Sequence, residues 1–164
     1  MSPLRTTVLT AALAAVVLVP QAASARDAHG SGTVRQLAAG SCARLPAPQP
    51  LVREDCSGVQ ETFAGVLRST APATSKQRSW FDVPSGRSWF SGTEQFVGCI
   101  GTRCGTLVFT FQGSFVADLS TSTLRGSRTI AVSGGTDGLS GVRGTVVERF
   151  GEGAGYVATL RLRG

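Results

Sequence analysis

Residues that commonly carry chemistry are scarce in this chain. Its 164 residues include no asparagine, a single lysine and a single histidine, His29. Without asparagine, N-glycosylation is excluded. A catalytic base must be held within hydrogen-bond reach of its target, and His29 lies in a short polar segment near the predicted mature N-terminus. Ser-His-Asp and Cys-His catalysis are therefore disfavoured, and no sequence pattern pairs two carboxylates as glycosidases do.

Sustained helical periodicity is also missing after residue 25, and the 21 glycines of the chain disfavour helices. Instead, apolar and polar residues alternate along the chain, with a period of two residues. In residues 106–117, Leu107, Phe109, Phe111 and Phe115 share one parity, and polar residues dominate the other, which predicts a half-buried strand. Seven further strands are predicted at 33–39, 59–68, 76–83, 89–97, 122–132, 143–151 and 156–163. Eight short strands fit a sandwich or a closed barrel, and closure removes exposed sheet edges.

The first 25 residues have the parts of a secretory signal peptide. Arg5 is the positive start, residues 8–19 are mostly apolar, and Ala23-Ser24-Ala25 is a small-x-small cleavage site. The apolar run is too short for a transmembrane helix, which needs about 20 residues. We predict cleavage after Ala25 and a secreted protein without a stable membrane anchor; an uncleaved anchor is the alternative. The predicted division is 1–25 signal peptide, 26–32 flexible mature N-terminus and 33–164 one all-β domain.

The four cysteines indicate disulfides, because their number is even and they follow an export signal. Cys99 and Cys104 flank a short segment that resembles a hairpin loop, and opposed hairpin positions can reach bridging distance. We therefore predict the bridges Cys99–Cys104 and Cys42–Cys56. A zinc site is the alternative, although zinc sites usually have more closely spaced cysteine pairs.

Neither nucleic acid nor phosphate is a predicted partner. The formal net charge is +6, but the arginines are scattered along the chain, whereas a nucleic-acid site needs a clustered basic patch. The glycine-rich run at 134–144 could suggest a phosphate loop, which requires a following helix. Residues 145–147, Thr-Val-Val, favour a strand instead, so we predict a structural turn.

Two segments resemble a bacterial family, domain of unknown function 3224. They are F-S-G-T-E-Q-F-V-G at 90–98, continuing to Q-G-S-F at 112–115, and G-G-T-D-G-L-S-G-V-R-G at 134–144. Dirigent proteins and allene oxide cyclases carry a related glycine run. The resemblance implies an antiparallel eight-stranded β-barrel of the allene oxide cyclase type. The chain departs from the family pattern near Phe111, Arg128 and Asp137, where the family has His, Trp and Gly; an activity that needs that histidine would be absent here.

Glu94 is the most unusual residue of the predicted interior. It shares strand parity with Phe90 and Phe96, and a buried carboxylate is costly unless it is paired. Arg128 shares parity with apolar neighbours and could be the partner. The candidate interior residues are Glu94, Arg128, Phe90, Phe96, Phe109 and Phe111. They form either a filled core with an ion pair or a polar anchor in an apolar cavity. In a filled core, neutralising Glu94 would leave Arg128 unpaired at a cost of about 3–5 kcal/mol.

Three functions remain open on this evidence. The first is a non-enzymatic secreted barrel that binds a small apolar ligand or a partner. The second is a cofactor-free isomerase or cyclase, as the resemblance to allene oxide cyclases implies. The third is a filled barrel with an envelope or interaction role. No catalytic residue, metal or cofactor is predicted.

Overall fold

The computed structural model describes residues 26–118, 120–121 and 123–162; the predicted signal peptide lies outside them. Among the residues described, no helix is long and apolar enough to cross a membrane. The strands within these ranges are β1 Arg26–Ala38, β2 Ser41–Leu45, β3 Leu51–Gly65, β4 Leu67–Asp82, β5 Arg87–Ile100, β6 Arg103–Asp118, β7 Thr123–Gly135, β8 Arg143–Phe150 and β9 Gly155–Leu162. One 3-10 turn, Asp137–Leu139, lies between β7 and β8.

All these strands belong to one antiparallel sheet that closes into a ring. The order is β1-β9-β8-β7-β6-β5-β4-β3-β2, and β1 also pairs with β3. Residues 26–32 of β1 pair with β9 and residues 32–38 pair with β3. Eight strands therefore complete the ring, and β2 is an added strand on β3. The predicted all-β, barrel-like fold is confirmed.

Alternation along each strand sends one set of side chains inward, as β6 shows. Leu107, Phe109 and Phe111 are buried, while Val108 and Thr110 between them are exposed. Burying a large apolar side chain stabilises a fold by about 1.5–3 kcal/mol. The register of a strand is therefore fixed by its apolar set, because a slip of one residue would expose all of it.

Residues 26–32 form the first half of β1 and are not the flexible N-terminus that the sequence predicts. They pair with β9 from Arg26 opposite Leu162 onward. Without them β9 would have an unpaired edge. The close approach also needs Gly32, since a Cβ there would lie 1.9 Å from the carbonyl oxygen of Ala64. A polar, small-residue composition therefore reflects crowding at the closure of the ring.

Two further predicted boundaries differ from the structure. The strand predicted at 59–68 is divided between β3 and β4, because Gly65 has a φ of 112° that only glycine adopts readily. The short strand β2 is not predicted at all. By contrast, the glycine-rich run at 134–144 contains the turn between β7 and β8, as predicted. Gly141 lies in the turn with a φ of 74°, and Gly144 lies at the start of β8 with a φ of 146°.

The two predicted disulfides are present. Cys42 faces Cys56 across β2 and β3, and Cys99 faces Cys104 across β5 and β6. No cysteine of the described residues is free. Cys42 and Cys56 lie beside Glu54, but their sulfurs are bonded to each other. The zinc alternative, which needs thiolates, therefore lacks its ligands here.

One end of the ring interior is packed with side chains. Phe96 and Phe109 stack with ring centroids 5.8 Å apart, and Phe63 meets both edge-on. The Tyr156 hydroxyl accepts a hydrogen bond from the Leu67 amide and donates one to the Leu67 carbonyl. This packed end supports the ionic residues that lie above it.

Candidate ligand-binding site

Arg128 of β7 is the centre of a buried ionic cluster with three carboxylates. Its Nε donates to Glu148 Oε2 at 2.5 Å, its Nη1 to Glu94 Oε2 at 3.2 Å, and its Nη2 to Glu61 Oε2. The guanidinium also lies over the Phe111 ring, 5.2 Å from the ring centroid. The predicted Glu94–Arg128 contact is therefore present, and we call this group of four residues the Arg128 cluster.

Three strands deliver the carboxylates by the same local pattern. Each glutamate stands two residues before a phenylalanine: Glu61 before Phe63, Glu94 before Phe96, and Glu148 before Phe150. Residues two apart on a strand share a face, so an inward phenylalanine forces its glutamate inward. Of these three glutamates, only Glu94 is predicted from the sequence to face the interior. The other two carry the same E-x-F signal in β3 and β8, and reading every strand for it would have found them.

Above the Arg128 cluster the ring interior is open, with a cavity of about 650 Å³. Ligand pockets usually measure about 300–1,000 Å³. Most of its wall is apolar, and Arg128 and Glu61 are its charged inner residues. The apolar wall comprises Phe81, Phe90, Phe115, Phe150, Val52, Val59, Val83 and Leu124. The polar lining residues include Gln36, Arg44, Glu54, Gln77, Ser79 and the buried Ser88.

The six predicted interior residues divide between the cavity and the packing below it. Arg128 and Phe90 line the cavity. Glu94 is buried in the Arg128 cluster and does not line it, and Phe111 packs on the guanidinium. The remaining two, Phe96 and Phe109, fill the packed end. The structure thus combines both readings of Glu94: the ion pair exists, and its arginine forms part of a cavity wall. His29 is exposed on β1.

Burial and mutual repulsion shift the ionisation of the Arg128 cluster. Burial raises the pKa of Glu94 to about 7; Arg128 opposes the shift, and Glu61 and Glu148 add to it. Burial likewise raises the pKa of Glu148. Burial disfavours the charged form of Arg128, but the three carboxylates outweigh it and raise the guanidinium pKa above its usual value. Arg128 therefore stays charged, and Glu94 is the group poised to hold a proton near neutral pH.

The extra carboxylates correct one expectation from the sequence. Neutralising Glu94 does not leave Arg128 unpaired, because Glu61 and Glu148 still accept from it. In addition, Glu94 Oε1 is buried without a hydrogen-bond partner, which disfavours the charged carboxylate. The expected cost of about 3–5 kcal/mol for an unpaired arginine thus does not apply to Glu94. It applies to Arg128, whose loss would leave three carboxylates together.

The arrangement can hold the polar end of a molecule whose body lies among phenylalanines. Glu61 has the most exposed side chain of the Arg128 cluster, at 14%, against 1% for Glu94 and 4% for Arg128. Of the three carboxylates in the Arg128 cluster, Glu61 is the one that lines the cavity, together with Arg128. Polar groups that are few and fixed in an apolar wall set the orientation of a ligand.

Comparison with known proteins shows a similarity to a solved structure. No protein-family model and no curated protein matches the chain. A solved structure of a protein with unknown function from the DUF3224 family, from Shewanella oneidensis MR-1, aligns with a TM-score of 0.54 at 19% identity. The alignment covers 86% of this chain and 99% of that one. The two proteins share a fold.

That likeness supports the family resemblance seen in the two sequence segments. At this identity it concerns the fold alone, and it assigns neither a ligand nor a reaction. The further likeness to allene oxide cyclases stays an expectation from the glycine run. Any function has to be argued from the Arg128 cluster and the cavity above it.

Proposed function

We propose that this protein is a secreted binding protein for a small, largely apolar molecule. The observation that carries the proposal is the cavity of about 650 Å³ above the Arg128 cluster, lined mainly by phenylalanine and aliphatic side chains. Small eight-stranded barrels either fill with side chains or hold one small ligand. Here one end is packed and the other is open, which favours the second case.

Export is part of the proposal. The two disulfides are consistent with an oxidising compartment outside the cytoplasm, and the first 25 residues have the pattern of a signal peptide. N-terminal sequencing of protein released by the native host should begin at Arg26. Recovery of the full chain with Met1 from a membrane fraction would contradict export by cleavage.

Binding can be tested with a neutral fluorescent probe, N-phenylnaphthylamine. Leu124 lines the cavity and is 40% exposed, so Leu124→Trp should occupy cavity volume without disturbing the packed end. Val157 is 62% exposed on β9 and does not line the cavity, so Val157→Trp is a matched control. We expect Leu124→Trp to lower probe affinity about tenfold or more. Val157→Trp should leave it unchanged.

An equal effect of the two tryptophans would place the probe outside the cavity and refute the proposal. Mass spectrometry of molecules that co-purify with the natively secreted protein gives a second test. An apolar compound should be present with the native protein and depleted from the Leu124→Trp variant. Equal recovery from both proteins would also count against cavity binding.

A further inference from the structure

The Arg128 cluster contains more acidic than basic groups. One guanidinium faces three carboxylates, and each hydrogen bond in the cluster runs from Arg128 to a glutamate. Even with a proton on Glu94, the guanidinium still donates to the carboxylates of Glu61 and Glu148. The cluster therefore offers acceptor oxygens and no spare positive charge.

Arg128 is also poorly placed to receive an anion. Three of its nitrogens already donate to carboxylates, and Phe111 covers a face of the guanidinium. An incoming carboxylate or phosphate would have to displace a glutamate and then remain beside the others. Like charges at such distances repel strongly where water is scarce.

Glu61 is the available acceptor. It lines the cavity and has the most exposed side chain of the Arg128 cluster. Only its Oε2 accepts from Arg128; among the residues that the structure describes, Oε1 receives no hydrogen bond. A hydrogen-bond donor from a ligand would satisfy this unmet acceptor capacity.

The other residues that line the cavity add no unneutralised positive charge that would repel a cationic ligand. At its entrance Arg44 lies 3.9 Å from Glu54, so their charges offset each other. The wall near the cluster presents the rings of Phe90, Phe115 and Phe150. Aromatic faces attract cations as well as apolar groups.

We infer that the cavity takes a molecule with an apolar body and a protonated amine, and that the amine binds the Glu61 carboxylate. This inference rests on the proposed binding function and names its ligand class. It excludes fatty acids and other apolar anions as the preferred ligands.

Three molecules with the same alkyl chain test the inference: decylamine, decanol and decanoate, each used to displace N-phenylnaphthylamine at pH 7.5. We expect decylamine to bind about tenfold more tightly than decanol, and decanoate to bind most weakly. Glu61→Gln should weaken decylamine binding about tenfold and leave decanol nearly unchanged. Glu152→Gln removes a carboxylate that is 92% exposed and does not line the cavity. It is the control, and it should keep the preference for the amine.

The outcomes separate the inference from the proposed function. Binding of decanoate that equals or exceeds that of decylamine would overturn the amine preference and leave apolar binding intact. Equal affinities for all three, or failure of all three to displace a bound probe, would also overturn it. Failure of the neutral probe itself to bind would overturn both. The wild-type ranking needs no variant, so it decides the matter even if Glu61→Gln folds poorly.

Discussion

Replacing Glu94 by glutamine should change how stability depends on pH. The buried carboxyl has a pKa of about 7, against an ordinary value of 4.5. Between these values the folded protein holds a proton that the unfolded chain releases. Raising the pH through this window therefore lowers the free energy of unfolding. A shift of this size corresponds to about 3 kcal/mol in total.

Glutamine has the shape of the protonated acid and cannot ionise. The variant should match the wild type at pH 4.5 and exceed its stability by about 3 kcal/mol at pH 8. The groups facing Glu94 are Arg128, Glu61 and Glu148. They remain in both proteins, so the difference between wild type and variant isolates Glu94.

Urea unfolding at several pH values, followed by tryptophan fluorescence, measures this difference. Glu152→Gln is the control, because its carboxylate is 92% exposed and lies in the turn between β8 and β9. That variant should track the wild type within about 0.5 kcal/mol at every pH. A stability difference for Glu94→Gln that is the same at pH 4.5 and pH 8 would refute the argument. It would mean that Glu94 is charged throughout and stabilised by Arg128.

Three other changes test the frame around the site. Arg128→Met should cost about 3–5 kcal/mol at pH 8 and less at pH 5, because it leaves three carboxylates without a cation; a pH-independent loss in urea unfolding would contradict this. Gly144→Ala should cost on the order of 3 kcal/mol, since its Cβ would lie 2.1 Å from the Thr159 carbonyl oxygen, whereas Gly134→Ala meets nothing within 4 Å. Equal melting temperatures for these two variants would argue against that crowding. Replacing both cysteines of the β2–β3 disulfide by serine should cost about 2–3 kcal/mol; an unchanged melting temperature would show that the bridge does not contribute.

Much of the fold can be predicted from the two-residue alternation of apolar and polar side chains and from the residues that form turns. The parity of Leu107, Phe109 and Phe111 predicts their burial, and the short spacing of Cys99 and Cys104 predicts a hairpin bridge. Both depend on neighbours along the chain or across one turn. The strand at residues 26–32 could not be predicted in this way, because its partner strand, β9, lies at the other end of the sequence.

The site could be predicted only in part, because side-chain parity is a local property of each strand. Parity places Glu94 and Arg128 inside, but it does not give the height of a residue along the ring axis. That height depends on strand register. Glu148 is level with Arg128 because it lies directly opposite on the neighbouring strand β8. Glu61 on β3 reaches the same level only through the register of the strands between β3 and β7. Parity also does not show whether inward rings fill the interior or line a cavity. The ring centroid of Phe90 lies 6.1 Å from that of Phe115 and 6.0 Å from that of Phe150, and all three line the cavity.

The pairing of β1 with β9 has a consequence for how the protein folds. Arg26 lies opposite Leu162, so the first described strand finds one of its two partners only when the last is available. Hairpins between consecutive strands can form early, but the ring cannot close until β9 is free, and contacts this distant in sequence slow folding. Until then the sheet stays open, with residues 26–32 of β1 and one edge of β8 unpaired. Until β9 arrives, those two edges are the positions at which aggregation would begin.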